Sequence, residues 1–569
     1  MGDVGRILNT ARDAILANLT ALNVTGSNIA NVNTPGYSRL RPIFGAIGVF
    51  NAATDQTQVG VKVISIDRLY SKYLDAEMVR QEQYNAFSQS QLDILNRAEV
   101  VFNESAGGGI NDQLSKFWGA WLQLSANPSS ITERDNLVAA SQCLASMFRQ
   151  KATELMSIQR DTNTEISDAV TQLNGYLSQM ADYNNKITQI EISGGSAADL
   201  RDKRTELLRN ISQIVDVNYY EEANGQLNIY ISNGRSLVEG ENVWNLDVEV
   251  NPAISTNYDI VFADAPGVVI NDELNGGKIA GLLDVRDTKV EGYLNDLSNM
   301  AATIVSTVNA QHASGYDLNG NIGGDFFSKL GVINAPVASS GNAFNGTVSL
   351  GAGSGYTGAS NDKTFIVRIT GDGTLATAKY RVSSDGGTTW GTEQTFPGPV
   401  GGPATITAGD GINLTFTVNT VDFLTGDSFS VQAIANARDM QVDPSIVADV
   451  RKIAAAATVN SDGEIAGLIA AMKNDTSAMG SGVTFDNYYE SLTSLVGQDV
   501  LDAKNNVDHQ TSVINQVDNQ RQAVSGVSLD EEMLNIIKYQ AAYNAAGRLC
   551  AVVNAMMSTL INLGIETAQ

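Results

Sequence analysis

The sequence predicts an α+β multidomain chain: a long α-helical bundle or coiled coil formed by the N- and C-terminal regions, with β-rich domains inserted in the middle. Three observations predict this. Both ends carry long amphipathic helical periods, the interior switches twice to runs of β-branched and aromatic residues between Gly and Asn turns, and ends and interior differ in charge. The 569 residues imply several domains at about 100–200 residues each. Hydrophobic residues at 43% suffice for real cores, and charged residues at 17% are too few for charge-driven disorder. The formal charge of -26 lies wholly between residues 46 and 524, because the small positive excess of residues 1–45 cancels the small negative excess of residues 525–569. An acidic balance argues against nucleic-acid binding, which needs basic patches. Two cysteines, Cys143 and Cys550, cannot form a disulfide framework, and two histidines leave little room for zinc or triad chemistry. No cofactor, no metal and no enzymatic activity are expected.

Taken in order, the first segment is helical: Leu8, Ile15, Leu22 and Ile29 are spaced by sevens, and Ile7, Ala11, Ala14 and Leu19 widen the stripe. Residues 3–32 would make a rod of about 45 Å, ended by Asn33-Thr34-Pro35-Gly36, where Pro-Gly suits the centre of a type II turn. Ile64 to Ile214 reads as mostly helical, starting with Ile66, Leu69, Tyr70, Tyr73 and Leu74 and broken at Gly107 to Gly109, Asn127-Pro128 and Gly194-Gly195. Val215 to Ile270 alternates as strands, Gly276 to Gln311 returns to helix, and 325–435 is rich in Gly, Thr and Ser with many short strands. Helix is expected from Asp443 to the C-terminus apart from a break at Met479 to Val483.

The last segment has the clearest pattern. Leu529, Ile536, Tyr543, Cys550 and Met557 form one row spaced by sevens; Tyr539, Ala546, Val553 and Leu560 form a second row three residues on. Together they make a coiled-coil seam of about four heptads, about 48 Å long. Gly526 and Ser528 to Glu531 supply a start with capping-box spacing. The expected domains are therefore 1–45 with 525–569 as a terminal helical assembly domain, 46–215 with 271–324 and 436–524 as a helical body, 216–270 as a β-rich domain, and 325–435 as an inserted β-rich domain. Each terminal stripe has no evident cover within the chain except the other terminus. Both ends are accordingly expected to be poorly ordered in the monomer and to fold on assembly.

Ala30-Asn31-Val32-Asn33-Thr34-Pro35-Gly36-Tyr37-Ser38-Arg39 resembles the N-terminal signature of flagellar rod, hook and hook-associated proteins, and its Tyr-Ser-Arg ending is similar to that of the FlgK family at the hook–filament junction. Gly526-Val527-Ser528-Leu529-Asp530-Glu531-Glu532-Met533, with Tyr539-Gln540 and Ala542-Tyr543, is similar to the same family's C-terminal signature. Asn127-Pro128 with Arg134, Asp202 with Arg204, and Val308-Asn309 with His312, Gly315 and Asp317 to Gly320 resemble its body segments; Arg201 and Thr205 depart from the pattern, and 335–433 matches none. The resemblance implies a structural subunit of the flagellum, exported through the flagellar type III channel and joining hook to filament. It implies a homo-oligomer whose partners are the hook protein, the adjacent hook-associated protein on the filament side, and an export chaperone at the C-terminal helix. Its expected place is extracellular, without a cleaved signal peptide: the start lacks the apolar run of about 7–15 residues that such a signal needs. No stretch approaches the roughly 18 apolar residues of a membrane span, so no membrane insertion is expected.

The expected assembly interface is Leu8, Ile15, Leu22, Ile29, Leu529, Ile536, Tyr539, Tyr543, Val553, Met557 and Leu560, with a signature turn of Asn31, Asn33, Thr34, Pro35, Gly36 and Tyr37. Other chemistry is weaker. Ser383 to Trp390 fits the S-x-D-x-G-x-T-W Asp-box of sialidase-type propellers, but one copy reads as a β-hairpin. Asp317-Leu318-Asn319-Gly320-Asn321 opens like a calcium loop, yet Ile322 and Ser328 stand where such a loop needs Gly and Glu. His312 and His509 lack a nucleophile signature, Cys550 sits at a heptad core position, and the Gly-rich stretch 351–358 lacks the Lys-Ser/Thr of a phosphate loop. The competing functions are a carbohydrate-binding or glycan-processing surface protein built on the Asp-box domain, or another rod or hook axial subunit.

Overall fold

The computed structural model describes residues 2–34, 36–51, 56–103, 108–251, 257–330, 332–333, 336–339, 341–352, 363–384, 386–398, 403–409, 411–417, 423–434, 436–459, 462–480 and 482–566. The chain opens with helix α1 (Gly2–Ala30), a hairpin of β1 (Leu40–Asn51) and β2 (Gln56–Arg68), and helices α2 (Lys72–Phe102), α3 (Ile110–Ala126), α4 (Ile131–Ile192) and α5 (Ala198–Ile214). Strands β3 (Asn218–Glu221), β4 (Leu227–Tyr230), β5 (Ser236–Glu239) and β6 (Asn242–Val243) form one antiparallel sheet in sequence order; β7 (Leu246–Val250), β8 (Tyr258–Phe262) and β9 (Ala265–Val269) form another. Helices α6 (Gly277–Asp284) and α7 (Glu291–His312) follow, joined by a π-helical turn at Val285–Val290.

The next strands are β10 (Val332–Ile333), β11 (Val337–Ala338), β12 (Thr347–Leu350), β13 (Lys363–Gly371), β14 (Lys379–Ser383), β15 (Gln394–Thr395), β16 (Ala404–Gly409), β17 (Ile412–Thr417) and β18 (Ser428–Ile434). They pair as β10-β18-β13-β14-β15, with β11 also on β18, and as β12-β17-β16. Helices α8 (Pro444–Ala448), α9 (Glu464–Ala471), α10 (Phe485–Ser525) and α11 (Leu529–Glu566) complete the chain. The α+β class, with long terminal helices and sheets between them, is the class the sequence predicts.

Contacts divide the chain into two compact units: Met1–Leu92, Asn163–Leu283 and Ala503–Gln569 in the first, and Asp93–Thr162 and Asp284–Asp502 in the second. In the first, α1 packs on α11 and on the β1–β2 hairpin. Arg204 on α5 is buried and donates to Gly225 O and to the Asn184 side chain, which itself bonds Leu227 O and Gly240 O. This network holds the β3–β6 sheet to the helices. In the second unit, Phe117, Trp118, Trp121, Phe326, Phe327 and Phe485 form a buried aromatic core with ring centroids 4.7–6.4 Å apart. Arg134, fully buried, donates to Pro128 O and Ile453 O at 2.6 Å each, and burial holds its pKa down at about 10. Among β10–β18 the core is a Phe cluster in which Phe344 stacks on Phe423 at 4.4 Å and Phe396 on Phe423 at 4.7 Å.

Two sequence expectations need correction. Ile66 and Leu69 do not begin a helix: Ile66 lies in β2, Leu69 follows it, and the helix starts at Lys72. Val61, Val63, Ile64 and Ile66 are β-branched residues that suit a pleated strand, and β1 supplies twelve partners for β2. Helix is also not continuous from Asp443. The Asp443 side chain caps the five-residue α8, Asp449 caps a single 3-10 turn, and Ile453 to Ala456 run extended. Ala454 N–H is used by His312 and Ala456 pairs with Tyr316, so tertiary hydrogen bonds override the helix propensity of an alanine run.

Candidate assembly interface

The chain ends meet at a buried polar knot. Helix α1 ends and α11 begins at one place, and the two helices lie along each other in opposite directions. Asn28, in the last turn of α1, is buried and spends its whole amide. Its Nδ2 donates to Leu40 O (2.9 Å) and Glu532 Oε2 (3.2 Å), while its Oδ1 accepts from Leu40 N (2.9 Å) and the Tyr37 hydroxyl (2.9 Å). Glu532 is 1% exposed. Its second oxygen accepts from Arg39 Nε at 2.7 Å, and Arg39 also reaches Glu531. The Arg39 backbone continues the lock, donating to Ser525 O and accepting from Leu69 N, both at 2.9 Å. Ser38 N donates to Asp202 on α5 at 3.1 Å, and Asp202 faces Arg68 at 3.2 Å. Burial pushes the Asp202 carboxyl up, opposed by the Arg68 charge and the Ser38 hydrogen bonds.

The signature turn positions these groups. Tyr37 N bonds Thr34 O at 3.2 Å and Gly36 has φ +77°, the glycine geometry of a type II turn. Thr34 Oγ1 donates to Asn31 Oδ1, and Asn31 Nδ2 to Ser27 O, closing the end of α1. Asn31 and Tyr37 are half-buried and Asn33 and Thr34 exposed; Pro35 lies outside the described residues. Burial raises the Tyr37 hydroxyl pKa. The capping box forms by half: Ser528 Oγ accepts from Glu531 N at 3.5 Å, but the Glu531 carboxylate is taken by Arg39.

Beyond the knot, α1 buries small residues. Ala11, Ala17, Ala21, Val24 and Thr25 are its fully buried positions, while Leu8, Ile15, Leu22 and Ile29 are half-buried. Alanines let the neighbouring backbones approach closely. On α11 the buried row is Glu532, Ala546 and Val553, with Tyr539 half-buried and its ring 5.9 Å from Phe44 on β1. Ile536, Cys550 and Met557 are half-buried, Leu529 and Tyr543 are exposed, and the Leu560 side chain lies outside the described residues. Sequence reasoning placed Arg39, Asp202 and Glu532 in family-like motifs without assigning them to the interface, and did not single out Asn28. A signal existed for one of them: Glu532 falls seven residues before Tyr539, so it extends the buried row, and a carboxylate there needs a cationic partner.

The remaining motifs are structural in geometry. Ser383 Oγ accepts from Gly387 N at 2.8 Å to close a turn, and Arg368 stacks over Trp390 at 4.7 Å; Asp385 lies outside the described residues. Asp317 Oδ1 accepts from Asn319 N and Asn321 N at 2.8 Å each, a side-chain turn. His312 is buried with both ring nitrogens on backbone groups, and His509 is exposed. Among the described residues no cluster of His, Cys, Asp and Glu could hold a metal, and no helix is long and apolar enough to cross a membrane.

Comparison with known proteins agrees with this geometry. The family described as "Flagellar hook-associated protein FlgK helical domain" matches residues 95–327. "Flagella basal body rod protein" matches 8–37 and "Flagellar basal body rod FlgEFG protein C-terminal" matches 506–563, so the two rod-type segments take in most of α1 with Asn28 and the signature turn, and most of α11 with Glu532. Flagellar hook-associated protein 1 of Escherichia coli K12 is 26% identical over 570 residues, spanning 98% of this chain and 99% of that protein. The Bacillus subtilis protein of the same name is 25% identical over 587 residues, 98% and 97% of the two chains. The solved structure of the flagellar hook junction protein FlgK from Burkholderia pseudomallei shares the fold, with a TM-score of 0.62 at 18% identity over 80% of this chain and 100% of that one. From the paired terminal signatures, the helical domain between them and the near full-length relatives, the chain belongs to the FlgK family of flagellar hook-associated proteins, structural components of the bacterial flagellum.

Proposed function

We propose that this chain is the axial subunit joining hook to filament, that it polymerises as a homo-oligomer through α1 and α11, and that it has no catalytic activity. One observation carries the polymerisation reading. Helix α11 is apolar on more than one side, yet α1 covers only the row of Glu532, Ala546 and Val553; Leu534 is left 67% and Ile537 63% exposed, with Val552 and Met556 exposed further along. Burying a large aliphatic side chain is worth about 1.5–3 kcal/mol, so this face favours helices of neighbouring subunits. Within one chain the helix pair is held at the knot and packs beyond it through small residues on one side of α11, which leaves the other side uncovered. That uncovered side therefore completes its packing on assembly. The reading places the hook protein and an adjacent hook-associated protein at the two ends of the assembled zone, an export chaperone on the exposed face of α11 before export, and passage through the flagellar export channel. Deleting residues 525–569 tests it. The truncated chain is expected to be absent from hook–filament junctions; its incorporation at wild-type level would overturn the proposal.

A further inference from the structure

The first unit contains a cleft that borders the knot at Arg68 and lies outside the helix–helix packing of α1 and α11. It has a volume of about 630 Å³ and lies between α2, α5 and the β3–β4 strands. Its floor is apolar, with Val79, Leu208 and Val217 buried. Its rim is aromatic: Tyr70, Tyr84 and Tyr220 are exposed, and Tyr220 lies 6.2 Å from Tyr230. Volume and lining fall within the range of small-ligand sites, about 300–1,000 Å³ with a few placed polar groups.

Two of those polar groups bond to no described protein group and are open to solvent. Among the described residues, no group hydrogen-bonds to the Asp75 carboxylate or to the Tyr219 hydroxyl. They lie close enough for the Asp75 charge to act on Tyr219, whose pKa is pushed up to about 12 by burial and by that charge. Burial likewise raises Asp75, against the attraction of Arg521, Arg68 and Arg209. Both groups are half-buried at the cleft, so a ligand hydroxyl can replace water at each of them.

We propose that this cleft binds a neutral saccharide, with Asp75 and Tyr219 as its hydrogen-bonding pair and the tyrosine rim as its stacking surface. The electrostatics select a neutral ligand. A cation would meet Arg68, Lys72 and Arg80, and an anion would meet Asp75 beside Asp216 and Glu221. A sugar hydroxyl donates to the carboxylate and accepts from the phenol, and the C–H face of a pyranose ring packs on aromatic faces. Arg68 gives the cleft a wall in common with the knot, because its guanidinium lies 4.6 Å over Tyr70 and 3.2 Å from Asp202.

The test uses the full chain with maltose and N,N′-diacetylchitobiose as probes, each followed by equilibrium dialysis and by hydrogen exchange. The expected result is millimolar binding of at least one of them, with slowed exchange confined to residues 70–84 and 216–232. Asp75→Asn keeps the side-chain shape and removes the charge-assisted hydrogen bond, so Kd should rise about tenfold. Tyr219→Phe is the second variant, for the case in which Asp75→Asn fails to fold, and should also weaken binding. Failure of both sugars to bind overturns the proposal, as does binding that survives both substitutions or protects a different region.

Discussion

Replacing Arg39 by Ala should loosen the two chain ends far more than its place just after the signature turn suggests. The reason is Glu532, whose side chain is 2% exposed and which takes its strongest hydrogen bond from Arg39 Nε at 2.7 Å. Without Arg39 the buried carboxylate keeps only the 3.2 Å bond from Asn28. Removing one partner of a buried pair costs about 3–5 kcal/mol. Arg39 itself is 18% exposed and its second partner, Glu531, is 60% exposed, so the Glu531 contact adds little and water can reach part of the gap. The low end, about 3 kcal/mol, is the appropriate figure, or roughly a hundredfold in the local opening equilibrium. Hydrogen exchange of the full chain reads this directly. Amides of Val24 to Ala30 and of Leu529 to Ile536 should exchange about a hundredfold faster in the variant, while those of β10–β18 stay unchanged. A companion Glu532→Gln substitution should recover part of the loss in the double variant, because the stranded charge is gone. Unchanged exchange at both helix ends in Arg39→Ala would refute the reasoning that the Arg39–Glu532 pair holds the termini together.

Other outcomes follow from the same structure. Gly36→Ala forces a non-glycine residue to φ +77° and puts a methyl group 3.2 Å from Glu206 Oε2, so the turn should lose about 1–2 kcal/mol in a denaturant melt probed at α1. Val553→Ala removes a side chain 1% exposed against α1 and should speed exchange along the distal part of α11. His312 should make the second unit acid-sensitive. Burial, with Arg134 nearby, lowers its pKa below the ordinary value, opposed by the Gly324 carbonyl and by Asp325 and Asp317. The neutral ring donates from Nδ1 to Gly324 O at 2.7 Å and accepts Ala454 N–H at Nε2 at 2.8 Å, a role that protonation abolishes. The unfolded chain therefore takes the proton first. The stabilisation is complete above about pH 6.5 and is lost as the pH falls from there through the folded value. Urea melts between about pH 7 and pH 5 should show the slope in the wild type and not in His312→Asn.

Much of the architecture was legible because it rests on periodicity. The seven-residue rows of α11 and the alternation of residues in β16 and β17 each report one covered face, and covered faces leave a pattern in sequence. The face of α1 that packs within the chain was less legible. Reading centred the stripe on Leu8, Ile15, Leu22 and Ile29 with Ala11 widening it, whereas the most buried positions are Ala11, Ala17 and Ala21, because small side chains bring backbones together with little hydrophobic signal of their own. The β1–β2 hairpin was hidden because its apolar residues also fit the start of the following helix. The knot was hidden for a different reason. Asn28, Arg39, Asp202 and Glu532 are polar residues far apart in the chain, and polarity alone marks a residue as solvated; only the fold shows that their hydrogen bonds are made to one another. Residues 453–456 show the converse, a helix-forming composition held extended by bonds to His312 and Tyr316.

The account stands on the claim that the outer face of α11 is for other subunits and its inner row for this chain. A chain carrying Leu534→Asp and Ile537→Asp separates the two, since both side chains are exposed here and neither lies in the row that α1 covers. The measurement is incorporation of that chain between hook and filament, made alongside hydrogen exchange of the purified monomer. The account predicts wild-type exchange at the knot with incorporation lost. Wild-type incorporation would contradict it.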